Sequence, residues 1–228
     1  MRSSRRRLLT VLGAGSIVSL SGCTEGVLVD TEYDCAVDEP LSVPPAEQPH
    51  IGQEGAPVDV EIFHDLSDRP TWAFIRHALR PVLDKYANSG VARVEFFDLP
   101  VPGDPDWAHQ LASVARFIFA ELGQDASREY IQTTSESFSS HQPTWQEIGN
   151  ITSELGVDPC TAIAHGSWKT YEAETEADRE YAHTLRIDAV PAILIDGMRL
   201  SDISPVNRSA AKISAAIEKA AETSSERK

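Results

Sequence analysis

The chain has 228 residues, 41% of them hydrophobic, which is enough for a core and excludes wholesale disorder. Its formal charge is −15, and residues 1–23 hold four arginines and no acid, so the remainder sets 16 basic residues against 35 acidic ones, a formal −19. A field of that sign excludes nucleic acid as a partner, because phosphate binding needs a basic surface.

Residues 1–23 read as an export signal. Ser4-Arg5-Arg6-Arg7-Leu8-Leu9 has the twin-arginine pattern, and an apolar run from Leu8 to Leu20 follows. That run is too short to span a bilayer comfortably. Leu20-Ser21-Gly22-Cys23 then has the small residues and terminal cysteine of a lipobox. The expectation is that Cys23 takes a lipid and anchors the chain on the outer face of the cytoplasmic membrane. An uncleaved N-terminal anchor is the alternative and also leaves the domain outside. Residues 24–55 are acidic and proline-rich, with Pro40, Pro44, Pro45 and Pro49, and read as an extended, semi-rigid tether.

From Val58 the pattern becomes regular. Val58, Val60 and Ile62 alternate with Asp59 and Glu61, a strand that ends at Phe63. His64 to Arg69 is a polar turn in which Asp68 can cap the next helix, and Pro70 suits a first helical turn. Trp72, Ile75, Leu79, Val82, Leu83 and Tyr86 form one apolar stripe, which Pro81 is expected to kink. Asn88-Ser89-Gly90 ends the helix, and Val91 to Leu99 is a second, centrally buried strand. Strand, helix and strand in this order make the two strands parallel.

A proline-rich loop, Pro100 to Asp106, leads into helices from Trp107 to about Arg186. Leu111, Val114, Ala115, Ile118, Phe119 and Leu122 give the first its apolar face, and Gly123 stops it. Further helices are expected over Ser127–Phe138, Thr144–Leu155, Pro159–Gly166 and Trp168–Leu185. The sheet resumes at Ala189–Asp196, with Asp196-Gly197 as a hairpin turn and Met198–Leu200 returning antiparallel. A last helix starts at Ser204 or Pro205, with Val206, Ile213 and Ile217 inward. Residues 223–228 form a polar tail expected to fray.

The phrase IGQEGAPVDVEIFHDLSD, Ile51 to Asp68, resembles the opening of the thioredoxin-fold domain in DsbA-like thiol–disulfide oxidoreductases. Pro81 and Tyr86, the all-helical block and the ending from Val190-Pro191 to Asp196-Gly197 extend the resemblance to Ala221. It implies an α/β, thioredoxin-like fold over residues 56–222. A DsbA-type all-helical insertion, about 105–187, would lie between the second and third core strands. In that family the opening phrase runs into a Cys-x-x-Cys whose thiolate is stabilised by a helix N-terminus. The matching positions here hold Asp68, Arg69, Pro70 and Thr71. A carboxylate cannot attack a disulfide, and a threonine hydroxyl cannot resolve a mixed one. Val190-Pro191 resembles the family's cis-proline loop, whose backbone pairs with extended peptide, a use that needs no cysteine. Asp68–Thr71 with Val190 and Pro191 is therefore the candidate peptide-binding site. The plainer readings are a well-capped helix start and an inherited turn. The acidic surface, with only five lysines, also resembles proteins of salt-loving archaea, for which molar salt screens self-repulsion. An ordinary acidic secreted protein is the other reading.

Besides Cys23 the chain has two cysteines, Cys35 and Cys160, and an exported chain with two cysteines invites a disulfide. Closing a loop of that length stabilises by on the order of 4–5 kcal/mol in the chain-entropy model. The rival reading is that Cys160, just after Asp158-Pro159 at a helix start, is a lone activated thiol. The seven histidines show no metal-binding spacing, so neither a metal nor a cofactor is expected; His64-Asp65 is the pair nearest the groove. Asn150-Ile151-Thr152 and Asn207-Arg208-Ser209 have the glycosylation pattern.

Three functions remain open. The first is a redox-inactive, membrane-tethered monomer that binds exported polypeptide or a partner protein. The second is an oxidoreductase or isomerase working through Cys160 and Cys35. The third is a structural envelope lipoprotein.

Overall fold

The computed structural model describes residues 31–226 except 34, 36, 41–42, 102–104, 139–140, 202 and 204–207. The export signal with Cys23, the start of the last helix with Val206, and Asn207 lie outside the described residues.

Among the described residues five strands make one mixed sheet: β1 (His50–Ile51), β2 (Val58–His64), β3 (Ala92–Asp98), β4 (Ala192–Ile195) and β5 (Met198–Arg199). Their order is β1-β3-β2-β4-β5, so the first strand read from the sequence is the central one. β2 runs parallel to β3 from Val58↔Ala92 to His64↔Asp98, and antiparallel to β4, with Phe63 opposite Ala192. Alternation along β2 sends Val58, Val60 and Ile62 into the main core. Phe63 faces the other way, packing with Phe97, Ala192 and Leu194 against α7 (Glu172–Thr184).

β1 falls in the expected tether. Its pairing to β3 depends on Gly52, at φ 114°, where a Cβ would lie 2.5 Å from the Ala92 carbonyl oxygen. Only glycine fits a turn that is both left-handed and pressed on a neighbouring backbone.

The helix after β2 does not follow the simple pattern. α1 (Arg69–Phe74) passes into a π turn over Ile75–Leu79, then α2 (Arg80–Val82), then a second π turn over Leu83–Ala87. Helical dihedrals continue through Arg80, whose N–H donates to the Ile75 carbonyl. Pro81 therefore sits in a continuous helix that is locally widened. A wider turn relieves the clash between a proline ring and the carbonyl four residues back.

The insertion between β3 and β4 is all-helical: α3 (Pro105–Leu122), α4 (Gln124–Ser137), α5 (Trp145–Glu154), α6 (Pro159–Ser167) and α7. α4 starts earlier than its apolar pattern indicates, because Gly123 at φ 80° turns the chain in a single residue. α7 starts later, because Trp168 caps α6 and Lys169, at φ 47°, breaks the helix. α8 (Arg208–Glu226) continues through the tail expected to fray. The Ser224 hydroxyl donates to the Pro57 carbonyl, 3.1 Å away.

The largest departure is residues 31–49. They are not a free spacer but a strap laid over the helical insertion. Cys35 and Cys160 are joined, S–S 2.08 Å. Val37 is buried against Ile163 and Ala164. The Trp168 indole N–H donates to the Val37 carbonyl (3.1 Å), the Tyr171 hydroxyl to the Pro44 carbonyl (2.8 Å) and the Tyr33 hydroxyl to Asn150 Oδ1 (2.8 Å). A proline-rich extended segment leaves its carbonyls unpaired; Trp168 and Tyr171 of the insertion donate to two of them, and Tyr33 of the strap donates in return to α5.

Candidate functional site

β2 ends at His64 and runs into Asp65–Asp68, while β4 begins at Ala192, directly after a cis Val190–Pro191 bond. Because Phe63 pairs with Ala192, the proline loop and the β2–α1 junction meet at the same end of the sheet.

Asp68 is the N-cap of α1. Its Oδ2 accepts from the Thr71 N–H (2.9 Å) and the Thr71 hydroxyl (3.1 Å). Thr71 is fully buried, whereas Arg69 and Pro70 are exposed. Of the four candidate positions, Arg69 and Pro70 face solvent, Thr71 is inaccessible, and half-buried Asp68 is occupied by Thr71. Asp65 is also occupied: Oδ1 accepts from the Ser67 N–H (2.7 Å) and hydroxyl (2.6 Å), and Oδ2 from the Val101 N–H (3.0 Å). Burial pushes both the Asp65 and the Asp68 carboxyls up, against the pull of these hydrogen bonds.

Val190 and Pro191 are half-buried, and the Val190 backbone has no hydrogen-bond partner among the described residues. Two grooves open near this loop, and neither is lined by Asp68–Thr71. One, of about 420 Å³, is lined by Pro191, Arg199, Leu200 and Ile203. The other, of about 770 Å³, has Leu99 and Ile187 with Glu180, His183 and Asp188.

Behind the junction lies a buried polar cluster that the sequence reading missed apart from His64. His64, Asp98, Arg116 and Asp178 are all at most 5% exposed. His64 Nε2 is 3.6 Å from Asp98 Oδ1. Arg116 donates from Nε to Asp98 Oδ2 (2.9 Å) and from a terminal nitrogen to Asp178 Oδ2. The Asp98 N–H (2.7 Å) and Gln48 Nε2 (3.3 Å) also donate to Asp178 Oδ2. Burial holds His64 below its usual range. Burial, and then the Asp98 charge, push the Asp178 carboxyl up to about 7. One guanidinium serving two buried carboxylates favours retaining a proton between them. The sequence signal was Arg116 itself, a charge set among Val114, Ala115 and Ile118 on the apolar face of α3.

The remaining candidates fall away from the groove. Cys160 is the second residue of α6, capped by Asp158, whose Oδ1 accepts from the Thr161 N–H and hydroxyl, both at 2.9 Å. Its disulfide to Cys35 overturns the lone-thiol reading. Asn150 lies within α5, its Oδ1 accepting from Tyr33 and from Gln146 Nε2 (3.0 Å). Thr152 of the same pattern is wholly buried, its hydroxyl donating to the Ile148 carbonyl (2.9 Å). Asn150 itself is exposed, on a helix rather than in a loop.

The profile of the family described as thioredoxin matches residues 45–219. The chain belongs to the thioredoxin family. Similar solved structures of this fold include oxidised BdbD from Bacillus subtilis, with TM-score 0.67, 18% identity, and 81% of this chain and 100% of that one covered. DsbA from Chlamydia trachomatis has TM-score 0.64 at 13% identity, covering 81% and 97%. The thiol–disulfide exchange protein alpha-DsbA2 from Wolbachia pipientis has TM-score 0.60 at 15% identity, covering 75% and 86%. No curated protein sequence matches. Among thioredoxin-family features, this member's three cysteines include no Cys-x-x-Cys. No helix of the described residues is long and apolar enough to cross a membrane.

Proposed function

We propose that this thioredoxin-family protein works outside the cytoplasm, tethered through lipid on Cys23. It binds extended polypeptide or a partner protein in the groove between Asp68–Thr71 and Val190–Pro191, without dithiol chemistry there. The observation that carries this reading is the mutual hydrogen bonding of Asp68 and Thr71 at the head of α1. That pair has no sulfur to exchange, while the Val190 backbone beside it has no hydrogen-bond partner among the described residues. Strand addition uses such backbone and no reactive side chain.

The test is site-specific photocrosslinking from Arg69 and from Val190 in intact cells, paired with insulin reduction by the purified protein in molar salt. The reading expects crosslinks to exported polypeptide from both positions and no insulin reduction. Absence of crosslinks favours a purely structural envelope lipoprotein. Turnover of insulin that disappears in Cys160→Ser favours the second reading, an oxidoreductase working through Cys160 and Cys35. That reading has in its favour that both cysteines are only half-buried and already bonded. Against it, the pair sits on the helical insertion rather than at the proline loop.

A further inference from the structure

We propose that the Cys35–Cys160 disulfide is a reducible latch, opened by an extracytoplasmic dithiol, that decides whether the strap 31–47 is docked on the helical insertion. The strap has one covalent hold, this disulfide. Among the described residues its other attachments are hydrogen bonds, including those from the Thr31 hydroxyl (3.0 Å) and the Glu32 N–H (2.6 Å) to Gln146 Oε1, and apolar contacts at Tyr33, Val37 and Ala46. Val37 is its deeply buried apolar side chain, while Glu32, Asp38, Glu39 and Val43 are exposed. The hydrogen bonds from Tyr33, Trp168 and Tyr171 are at part-buried or exposed positions. Ordering an extended segment of this length has a large entropic cost, which such contacts offset only while the loop is closed covalently. At Gln48 the hold becomes deep, through Asp178 and the Phe96 carbonyl. Release should therefore stop there.

The bond is open to attack. Cys160 is half-buried and lines a cleft of about 190 Å³ with Pro40, Asp158 and Thr161, the side from which a thiol approaches in this proposal. The incoming thiolate bonds to Cys160 Sγ, the S–S bond breaks, and Cys35 leaves as a thiolate that takes a proton. The strap is then free of the insertion. The second thiol of the reductant, as thiolate, attacks its own sulfur in the mixed disulfide. It becomes a cyclic or protein disulfide and expels Cys160 as a thiolate. Two electrons and two protons pass from the dithiol to the cystine.

Opening the latch uncovers Ile163, Ala164 and Trp168. It also moves the chain's first firm hold from Cys35 to Gln48, adding roughly 45 Å of reach on the N-terminal side.

The test uses the full mature protein in molar salt, titrated with dithiothreitol and followed by alkylation mass, limited proteolysis and circular dichroism. The expected result is that both cysteines become alkylatable while helix content is unchanged, with new cleavage confined to residues 31–47. With glutathione as a monothiol probe, the trapped mixed disulfide should sit on Cys160. Resistance of the bond until denaturant unfolds the domain overturns the proposal, as does reduction that leaves the strap protected. A glutathione adduct on Cys35 overturns the stated direction of attack. Cys35→Ser should show strap cleavage without reductant; a folded variant with a protected strap also overturns the latch. If that variant does not fold, the wild-type titration decides.

Discussion

Asp68 and Asp158 cap their helices in the same way: each carboxylate takes the N–H and hydroxyl of a threonine three residues on. In one helix the intervening residues are exposed Arg69 and Pro70; in the other they are Pro159 and a bonded Cys160. The cap is thus a local device, indifferent to redox chemistry and complete without a sulfur. Asp68→Cys with Thr71→Cys, keeping Cys35 and Cys160, should form a new disulfide and acquire insulin-reducing activity absent from the wild type. A folded double variant that stays inert would show that the junction is not arranged for exchange. A second residue-scale prediction concerns Asp178. Its carboxyl titrates near 3.9 when unfolded and about 7 when folded. Between those values the folded state binds more protons, so this group's contribution falls as pH rises from about 4 to 7 and is then constant. His64 has the opposite sign: its value is lowered on folding, so its contribution is lost as pH falls below about 6.5. Asp178→Asn should therefore gain on the wild type as pH rises across that window, by on the order of 1 kcal/mol per unit. Urea melts at pH 4.5, 6 and 8 measure it; a pH-independent difference would remove the buried proton.

At the scale of elements, boundaries followed backbone chemistry more closely than side-chain pattern. Gly123 and Lys169 moved the starts of α4 and α7 away from where apolar spacing placed them. Pro81 was absorbed by π turns rather than a break. β1 was invisible, since two residues carry no period, and it exists because β3 offers an edge and Gly52 permits the approach. Gly52→Ala should destabilise by on the order of 2–4 kcal/mol, combining a disallowed φ with a backbone clash. Denaturant melts test this, and a loss under about 0.5 kcal/mol would mean the turn is free to move off β3.

For the whole molecule, charge is the dominant quantity. A formal −19 beyond residue 23 repels itself in dilute buffer and is screened in concentrated salt. The melting temperature should climb steeply between about 0.1 M and molar salt; a flat response would point to an ordinary acidic secreted protein. At the other end of the chain, Cys23→Ser should release the protein from membranes or block its processing. Unchanged membrane attachment and size after fractionation would exclude the lipid anchor.

The order of strands and helices was legible because it is written in local periods, alternation in β2 and helical stripes in the insertion, while the thioredoxin-like fold was implied by the resemblance of the Ile51–Asp68 phrase and the Val190–Gly197 ending. These signals need only nearest neighbours. The Asp68 cap was legible for the same reason, being complete within four residues. The Cys35–Cys160 pairing was half-legible, since two cysteines allow one bond but not proof that it forms. What only the tertiary structure decided are the contacts between residues far apart in sequence. Gln48, His64, Asp98, Arg116 and Asp178 become one buried cluster only when the strap, β2, β3, α3 and α7 converge. The strap itself reads as spacer because its own residues lack an apolar period. It is docked by an acceptor on α5 and by donors at the end of α6 and just before α7, and nothing in its own composition announces them.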